Sequence, residues 1–234
     1  TGNTPILFEK SESLGGQFVL AGAISAKKDF KNAVDKMILD VQESGIEVHL
    51  NTVVTKEMIE EIKPDALIVA IGSSPFVLSI EGSERAIVAH DVLSEKVEVP
   101  GENVVIIGGG LVGFETAEFL ASRQKKVTVL EMKEKALQDL GPLRQITAQF
   151  AMAQMPITIE TSAIVERIED HAVVASGKEY PYDSVIMAVG SKANDTSMYT
   201  DLGIPTYIVG DCKKAGVALD AFKDAYHAVL EINK

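Results

Sequence analysis

The chain has 234 residues, a formal net charge of −12 and a sequence pI near 4.8. Its acidity argues against nucleic acid or an anionic membrane as a main partner, because like charges repel. A single cysteine, Cys212, excludes an internal disulfide framework, a dithiol centre and an all-cysteine metal or iron–sulfur site. No membrane-spanning segment and no secretory signal is visible, which favours a cytoplasmic protein.

The first third of the chain alternates between helical and strand patterns. Residues 29–44 carry apolar side chains at helical spacing and predict an amphipathic helix. Residues 46–52 alternate like a strand, and Thr55 can cap a short helix that Pro64 ends. Residues 65–75, "DALIVAIGSSP", are an apolar run stopped by glycine, which predicts a parallel strand buried on both faces.

A second series of elements follows residues 76–101, whose mixed composition predicts a linker. Residues 103–131, "NVVIIGGGLVGFETAEFLASRQKKVTVLE", predict strand, glycine loop, helix and strand within the span of a βαβ unit. Several short strands lead to the apolar run "VIMAVG". The chain finishes with a strand, a Gly-Asp turn and a helix. The apolar stripe predicted on this last helix is Leu219, Phe222, Tyr226, Val229 and Leu230.

The same plan therefore occurs twice. Each copy has a strand that ends in an acid, Glu9 or Glu131, and later an apolar run that ends in Gly72 or Gly190. Only the second copy carries a glycine loop. The first strand and phosphate loop of the first copy are expected to lie outside this chain, which leaves an exposed sheet edge beside residues 4–8.

The glycine loop of the second copy reads Gly108-x-Gly110-x-x-Gly113 and opens a helix directly after a strand. Gly108 allows the tight turn, Gly110 lets backbone amides approach a pyrophosphate, and Gly113 lets the helix pack closely on the strand. The positive helix N-terminus then faces the phosphates. Glu131 ends the next strand, where an acid accepts ribose hydroxyls and repels a 2′-phosphate, which favours NADH. Lys133 lies close by and keeps NADPH open; a plain glycine turn is the alternative.

Two further strand ends carry candidate binding residues. Glu9 repeats the place of Glu131, and it equally fits a strand that simply ends in a charge. Gly210 and Asp211 precede a helix, where the acid can bind a polyol chain or act as a helix cap. Cys212 fits either a reactive thiol or a buried packing group. No nucleophile–base pair, hydrolytic carboxylate pair or metal-ligand spacing is visible, so no catalytic or metal-binding residue is predicted.

Six segments carry a resemblance to a known family. They are "FEKSESLGGQF" (8–18), "DALIVAIGSSP" (65–75), "VVIIGGGLVGFETAEFL" (104–120), "YDSVIMAVGS" (182–191), "IPTYIVGDC" (204–212) and "ALDAFKDAYHA" (218–228). Together they resemble the flavin- and pyridine-nucleotide-binding part of the 2,4-dienoyl-CoA reductase, enoate reductase and trimethylamine dehydrogenase group. All two-dinucleotide flavoproteins share the glycine fingerprint, whereas LGGQ combined with GDC before an Ala-Leu-Asp-Ala helix is more specific to this group.

The resemblance implies an α/β fold of two Rossmann-like, three-layer dinucleotide-binding domains, with the NAD domain inserted into an incomplete FAD domain. The FAD-type domain would span residues 1–98 and 206–234 without its first strand and glycine loop, and the NAD(P)-binding domain residues 99–205. The implied NADH contacts are Gly108, Gly109, Gly110, Leu111, Val112, Gly113, Glu131 and Gly190. The implied FAD contacts are Glu9 on the adenosine ribose, Asp211 on the ribityl chain, and Lys10, Gly16, Gln17, Ala70, Gly72 and Gly210.

The same resemblance implies that the chain is part of a longer electron-transfer enzyme. Hydride would pass from NADH to FAD, and in full-length relatives electrons would continue through an iron–sulfur cluster to FMN in an N-terminal TIM barrel. The barrel is absent from this sequence, so the substrate-reducing site is expected to lie elsewhere. Without its phosphate loop the FAD site is expected to bind weakly or not at all, and a homo-oligomer stays possible.

Three functions compete on this sequence. The first is the electron-input module of an NADH-dependent flavin oxidoreductase of the enoate or 2,4-dienoyl-CoA reductase type. The second is a nucleotide-binding module without turnover. The third, a stand-alone relative of the pyridine nucleotide–disulfide reductases, is disfavoured because the chain has no dithiol.

Overall fold

A computed structural model describes residues 2–22, 28–138 and 140–234, without the side chains of Lys28 and Arg144. Its strands are β1 (Ile6–Phe8), β2 (Glu47–His49), β3 (Leu67–Val69), β4 (Ser73–Pro75), β5 (Ile87–Val88), β6 (Asn103–Ile107), β7 (Lys126–Leu130), β8 (Ile157–Glu160), β9 (Val165–Ile168), β10 (Ala172–Ala175), β11 (Lys178–Pro181), β12 (Ser184–Met187), β13 (Ser191–Ala193) and β14 (Thr206–Ile208). Its α-helices are α1 (Gly16–Leu20), α2 (Lys28–Glu43), α3 (Lys56–Ile62), α4 (Ala89–Leu93), α5 (Leu111–Ala121), α6 (Pro142–Met152) and α7 (Ala218–Ile232).

The chain divides into two compact units. Unit 1 comprises Thr1–Val19, Asp29–Ser74 and Ser191–Lys234, and unit 2 comprises Leu20–Lys28 and Pro75–Gly190. These boundaries differ from the sequence-based domains at residues 75–98 and 191–205. The predicted linker is wrong because residues 76–101 contain β5 and α4, whose buried apolar side chains join the core of unit 2.

Unit 2 is built on a parallel sheet in the order β5-β12-β6-β7-β8. Along β6 the buried side chains alternate in direction: Val104 and Ile106 pack with α4 and α5, whereas Val105 and Ile107 pack with β9 to β11. The layer β11-β10-β9 is antiparallel. Helices, parallel sheet and antiparallel sheet therefore form three layers, and the predicted Rossmann-like α/β fold is confirmed.

Unit 1 contains the parallel pairs β1–β2 and β14–β3 as two separate sheets, together with the pair β13–β4. Its largest buried cluster is small: Ile59, Val69, Tyr199 and Cys212. The prediction that residues 65–75 form a strand buried on both faces is wrong, because Ile68 in β3 is 42% exposed. Among the described residues β3 pairs on one edge alone, so less of the unit covers it.

The apolar stripe of α7 points largely into solvent. Leu219, Phe222, Tyr226 and Leu230 are all exposed, and the buried residue of the helix is Ala228. Phe222 also makes an edge-to-face contact with the ring of Phe18. The helix therefore presents an apolar face that its own unit does not cover.

Two searches of the described residues found no site of a particular kind. No helix among them is long and apolar enough to cross a membrane. Within the same part of the chain, no group of three or more His, Cys, Asp or Glu side chains is arranged to hold a metal ion.

Asp183 fixes the start of the central strand β6 in unit 2. Its Oδ2 accepts the backbone N–H of Asn103 at 2.8 Å and that of Glu102 at 2.9 Å, and it also accepts Nδ2 of Asn103 at 3.1 Å. The backbone bond from Asn103 comes first among the causes that lower the pKa of Asp183 below its ordinary value.

We predict that Asp183→Asn lowers the unfolding temperature most near neutral pH. A carboxyl with a depressed folded-state pKa stabilises above its unfolded pKa, about 3.9, and loses that contribution as the pH falls through the folded value. The gap between wild type and variant should therefore shrink below about pH 4. Thermal unfolding followed by circular dichroism measures it, with Asp201→Asn as the control for an exposed acid. A gap that stays constant from pH 7 to pH 3 would contradict this role.

Candidate functional site

The loop between β6 and α5 is closed by glycines that no other residue can replace without displacing backbone. Gly108 has φ +109°, and a Cβ added there would lie 2.4 Å from the carbonyl oxygen of Ala188. A Cβ on Gly113 would lie 1.9 Å from the carbonyl oxygen of Gly108. The helix therefore rests directly on the strand end, which is the close packing that the sequence pattern predicts.

The N-terminus of α5 offers backbone donors to an anion. Gly110 is the N-cap residue, has extended backbone geometry and makes no side-chain cap. The amides of Leu111, Val112 and Gly113 belong to the first turn, which has no intrahelical acceptors. Donors of this kind, at the positive end of a helix dipole, bind phosphate groups.

Glu131 closes the loop from the side of β7. Its Oε2 accepts the N–H of Gly109 at 2.8 Å, and its Oε1 accepts the N–H of Lys133 at 2.8 Å. The residue is 7% exposed, and a Cβ on Gly109 would lie 2.8 Å from its own Cβ. The amide of Gly109 is thus held by the protein, and the carboxylate joins the end of β7 to the glycine loop after β6.

Two other residues of unit 2 have polar or conformational features near the ends of these elements. Gly190 has φ +98° with nothing within 4 Å of an added Cβ, and its carbonyl accepts the N–H of Phe76 at 2.9 Å. Sequence reasoning missed Glu115, which is 7% exposed within α5. Its signal in the sequence was an acid two positions after Gly113 in an otherwise apolar helix.

In unit 1, a hydrogen-bonded series joins three distant parts of the sequence. Nε2 of Gln17 donates to the carbonyl oxygen of Ser73 at 2.7 Å and lies 3.1 Å from its Oγ. Oγ of Ser73 donates to Oδ2 of Asp211 at 3.0 Å. The predicted residues Gln17 and Asp211 thus meet through Ser73, a buried residue that sequence reasoning missed. Gly72 lies beside this series, since an added Cβ would be 3.7 Å from Nε2 of Gln17.

The remaining predicted residues of unit 1 lie at its strand ends and turns. Oε1 of Glu9 accepts the N–H of Ser11 at 2.8 Å. Gly210 has φ +66°, and its N–H donates to Asp224 at 3.2 Å. The positions with little around them are Lys10 and Ala70, which are exposed, and Gly16, which has φ +49° and open space beside it.

Asp224 supports this turn electrostatically. Its carboxylate contacts Nζ of Lys213 at 2.6 Å, and this bond is the first cause of a pKa below the ordinary aspartate value. The turn that carries Asp211 is therefore held by a charged pair as well as by the backbone of Gly210.

A family model described as "Pyridine nucleotide-disulphide oxidoreductase" matches residues 4–214. The chain belongs to this family. Members of the family bind NAD(H) and FAD, which agrees with the two cofactors expected from the sequence. The expectation that disfavoured disulfide-reductase relatives was too narrow as to kinship. Its premise stands, because the sequence has one cysteine. Sγ of that residue, Cys212, is buried and donates to the carbonyls of Val69 and Val209.

Individual family members match almost the whole chain. It is 32% identical to an NADH oxidase of Thermoanaerobacter brockii, over 99% of this chain and 38% of that protein. It is 34% identical to a cinnamate reductase of Clostridium sporogenes, over 99% of this chain and 36% of that protein. A solved 2-naphthoyl-CoA reductase complex superposes with a TM-score of 0.89 at 30% identity, over 97% of this chain and 36% of that one. The chain thus spans less than two fifths of the length of these relatives.

We predict that Gly113→Ala destabilises unit 2 and opens the glycine loop. The added methyl group must displace the carbonyl of Gly108, and overpacking of this kind costs about 1–3 kcal/mol. Thermal unfolding measures the change. Gly141→Ala is the matched control, because nothing lies within 4 Å of a Cβ there. Equal unfolding temperatures for the two variants would show that the helix does not rest on the strand end as described.

Proposed function

We propose that this chain is the electron-input module of an NADH-dependent flavin oxidoreductase. The observation that carries the proposal is the glycine loop of unit 2, with free first-turn amides on α5 and Glu131 at the neighbouring strand end. This combination of backbone donors and one acid fits a dinucleotide with a pyrophosphate and a ribose diol. When bound, NADH supplies a hydride that a flavin accepts.

Each part of the loop has a separate binding task. The amides of Leu111, Val112 and Gly113 hold the pyrophosphate, and the tight glycine turn lets it approach the backbone. Glu131 accepts the ribose hydroxyls while it keeps the loop closed through Gly109. Its negative charge repels a 2′-phosphate, so NADH is the preferred coenzyme. Gly190 leaves room beside the end of the sheet for the rest of the coenzyme.

Unit 1 supplies the flavin half of the proposal. Asp211 binds the ribityl chain, and Ser73 and Gln17 hold that carboxylate in place. Glu9 binds the adenosine ribose, as Glu131 does in unit 2. No glycine loop follows a central strand among the described residues of unit 1, so this chain alone binds FAD weakly.

The substrate belongs to the longer protein of which we propose this chain is a part. Two of the relatives are named as reductases of cinnamate and of 2-naphthoyl-CoA, which supports an enoate or dienoyl-CoA reductase type. The match to less than two fifths of each relative supports a further domain, for which a TIM barrel with FMN and an iron–sulfur cluster is our proposal. The substrate is reduced there.

A second candidate function is nucleotide binding without turnover. The separation of the unit 1 strands into the pairs β1–β2 and β14–β3 favours it, because a flavin bound weakly accepts few electrons. Under this alternative the chain still binds NADH, and only the passage of hydride is lost.

Nucleotide and flavin binding by the purified chain test the proposal directly. NADH fluorescence should be quenched on binding, whereas the protein itself should be colourless or faintly yellow. Added FAD followed by NADH should bleach the flavin spectrum slowly, and this bleaching separates electron transfer from binding alone. Stoichiometric flavin in the purified chain would overturn the weak-FAD proposal, and absent NADH binding would overturn the function.

We predict that Glu131→Ala weakens NADH binding by about tenfold to a hundredfold, the usual loss for one charge-assisted hydrogen bond. The variant should also discriminate less against NADPH, because the repelling charge is gone. Fluorescence titrations with both coenzymes measure this, with Glu134→Ala as a control on a nearby exposed acid. A wild-type chain that prefers NADPH would contradict the role given to Glu131.

A further inference from the structure

The inner strands of unit 1 each have one unused edge. β1 pairs with β2 and β3 pairs with β14, and the described residues supply no partner on the other side of either strand. Ile6 in β1 and Ile68 in β3 are 40% and 42% exposed. Two-stranded sheets are marginal by themselves, so both pairs have reason to gain a further strand.

The backbone bonds show which groups these edges offer. The N–H of Glu9 donates to His49, so odd-numbered residues of β1 face β2, and Ile6 and Phe8 direct their N–H and C=O groups to the open edge. In β3, Leu67 donates to Pro205, and the carbonyl of Val69 accepts the N–H of Val209. The N–H and C=O of Ile68 therefore face the open edge of that strand.

Unit 2 of the same chain contains the arrangement that would use both edges. Its strand order is β5-β12-β6-β7-β8, with β6 paired on both sides. The order β14-β3-gap-β1-β2 has the same form, because β1 ends in an acid as β7 does. In the same way, β3 precedes Gly72 as β12 precedes Gly190. The gap corresponds to β6, the strand that carries the glycine loop.

The two strand-end acids support the same correspondence. Oε1 of Glu131 accepts the N–H of Lys133 at 2.8 Å, and Oε1 of Glu9 accepts the N–H of Ser11 at 2.8 Å, two residues on in both cases. Oε2 of Glu131 accepts the amide of Gly109 in the loop after β6. Oε2 of Glu9 has no such donor among the described residues, although it occupies the equivalent place.

The exposed stripe of α7 corresponds to a covered surface in unit 2. There α4, the helix after the outer strand β5, packs together with α5 in one apolar cluster. α7 is the helix after the outer strand β14, and its exposed apolar side chains have no equivalent of α5. A helix that follows the inserted strand would cover them.

We propose that unit 1 is a docking surface for a strand–glycine loop–helix segment from polypeptide outside this chain. The strand inserts in parallel between β1 and β3, its loop donates an amide to Oε2 of Glu9, and its helix packs on the stripe of α7. This inference deepens the proposed function, since such a segment completes the flavin half. An apolar strand fits best, because Ile6 and Ile68 border the gap.

A fusion protein tests the docking. Residues 102–125 of this chain, which form β6, the loop, α5 and the following turn, are copied directly ahead of Thr4. This spacing repeats that between β6 and β7 in unit 2, so the copy reaches β1 in the same register. Amide hydrogen exchange is measured by NMR at Ile6, Phe8 and Ile68 in the original chain and in the fusion, without any nucleotide.

Exchange at these three amides should slow by at least about a hundredfold in the fusion, while amides already paired, such as Leu7, change little. A copy carrying Val105→Pro should give no such protection. Unchanged exchange in the intact fusion overturns the proposal. Protection that depends on concentration in the original chain also overturns it, because a second copy then covers the edges. A protected fusion that fails to bind NADH would refute only the proposed function.

Substitutions at Glu9 and on α7 test the two other contacts. In the fusion, Glu9→Ala should reduce the protection about tenfold, whereas Glu12→Ala, an exposed acid nearby, should leave it unchanged. Leu230→Asp should reduce it more than His227→Asp, which adds the same charge outside the stripe. Equal effects within each pair would overturn the loop contact and the helix contact respectively.

Discussion

The pairing of β6 on both of its edges is the constraint on which the better-formed half of the molecule depends. β12 and β7 bond to it in register from end to end, and its alternating side chains enter the two apolar layers on either side. Because that strand is held so completely, the loop that leaves it is also fixed. A phosphate-binding turn needs no flexible side chains when the strand before it and the helix after it cannot move apart.

A single carboxylate type serves both structure and recognition in this fold. Glu131 is nearly buried, yet both its oxygens accept backbone amides, so its charge is solvated by the protein. The ligand contact proposed for it therefore adds to an arrangement that already exists, and the site is organised before any coenzyme arrives. Glu9 has half of this arrangement, which explains why one motif gives two environments within one chain.

The sequence predicted well what depends on neighbouring residues. The glycine spacing around Gly108 and the Thr55 cap on α3 are local signals, and both features formed where expected. Features that depend on distant partners were missed. Ser73 joins Gln17 to Asp211 only after three separate segments meet, and a mixed composition concealed that α4 packs in the core of unit 2. The apolar stripe of α7 was visible as a pattern, but a pattern does not say whether a covering element exists.

The buried position of Cys212 makes the chain its own reporter of local opening. Its sulfur lies beneath the ends of β3 and β14, bonded to Val69 and Val209, so a thiol reagent reaches it only when those strands separate. As the chain has no other cysteine, the rate of alkylation measures the opening of unit 1 without any contribution from unit 2. The half of the protein with the smaller core thus carries the one chemical label by which its breathing can be timed.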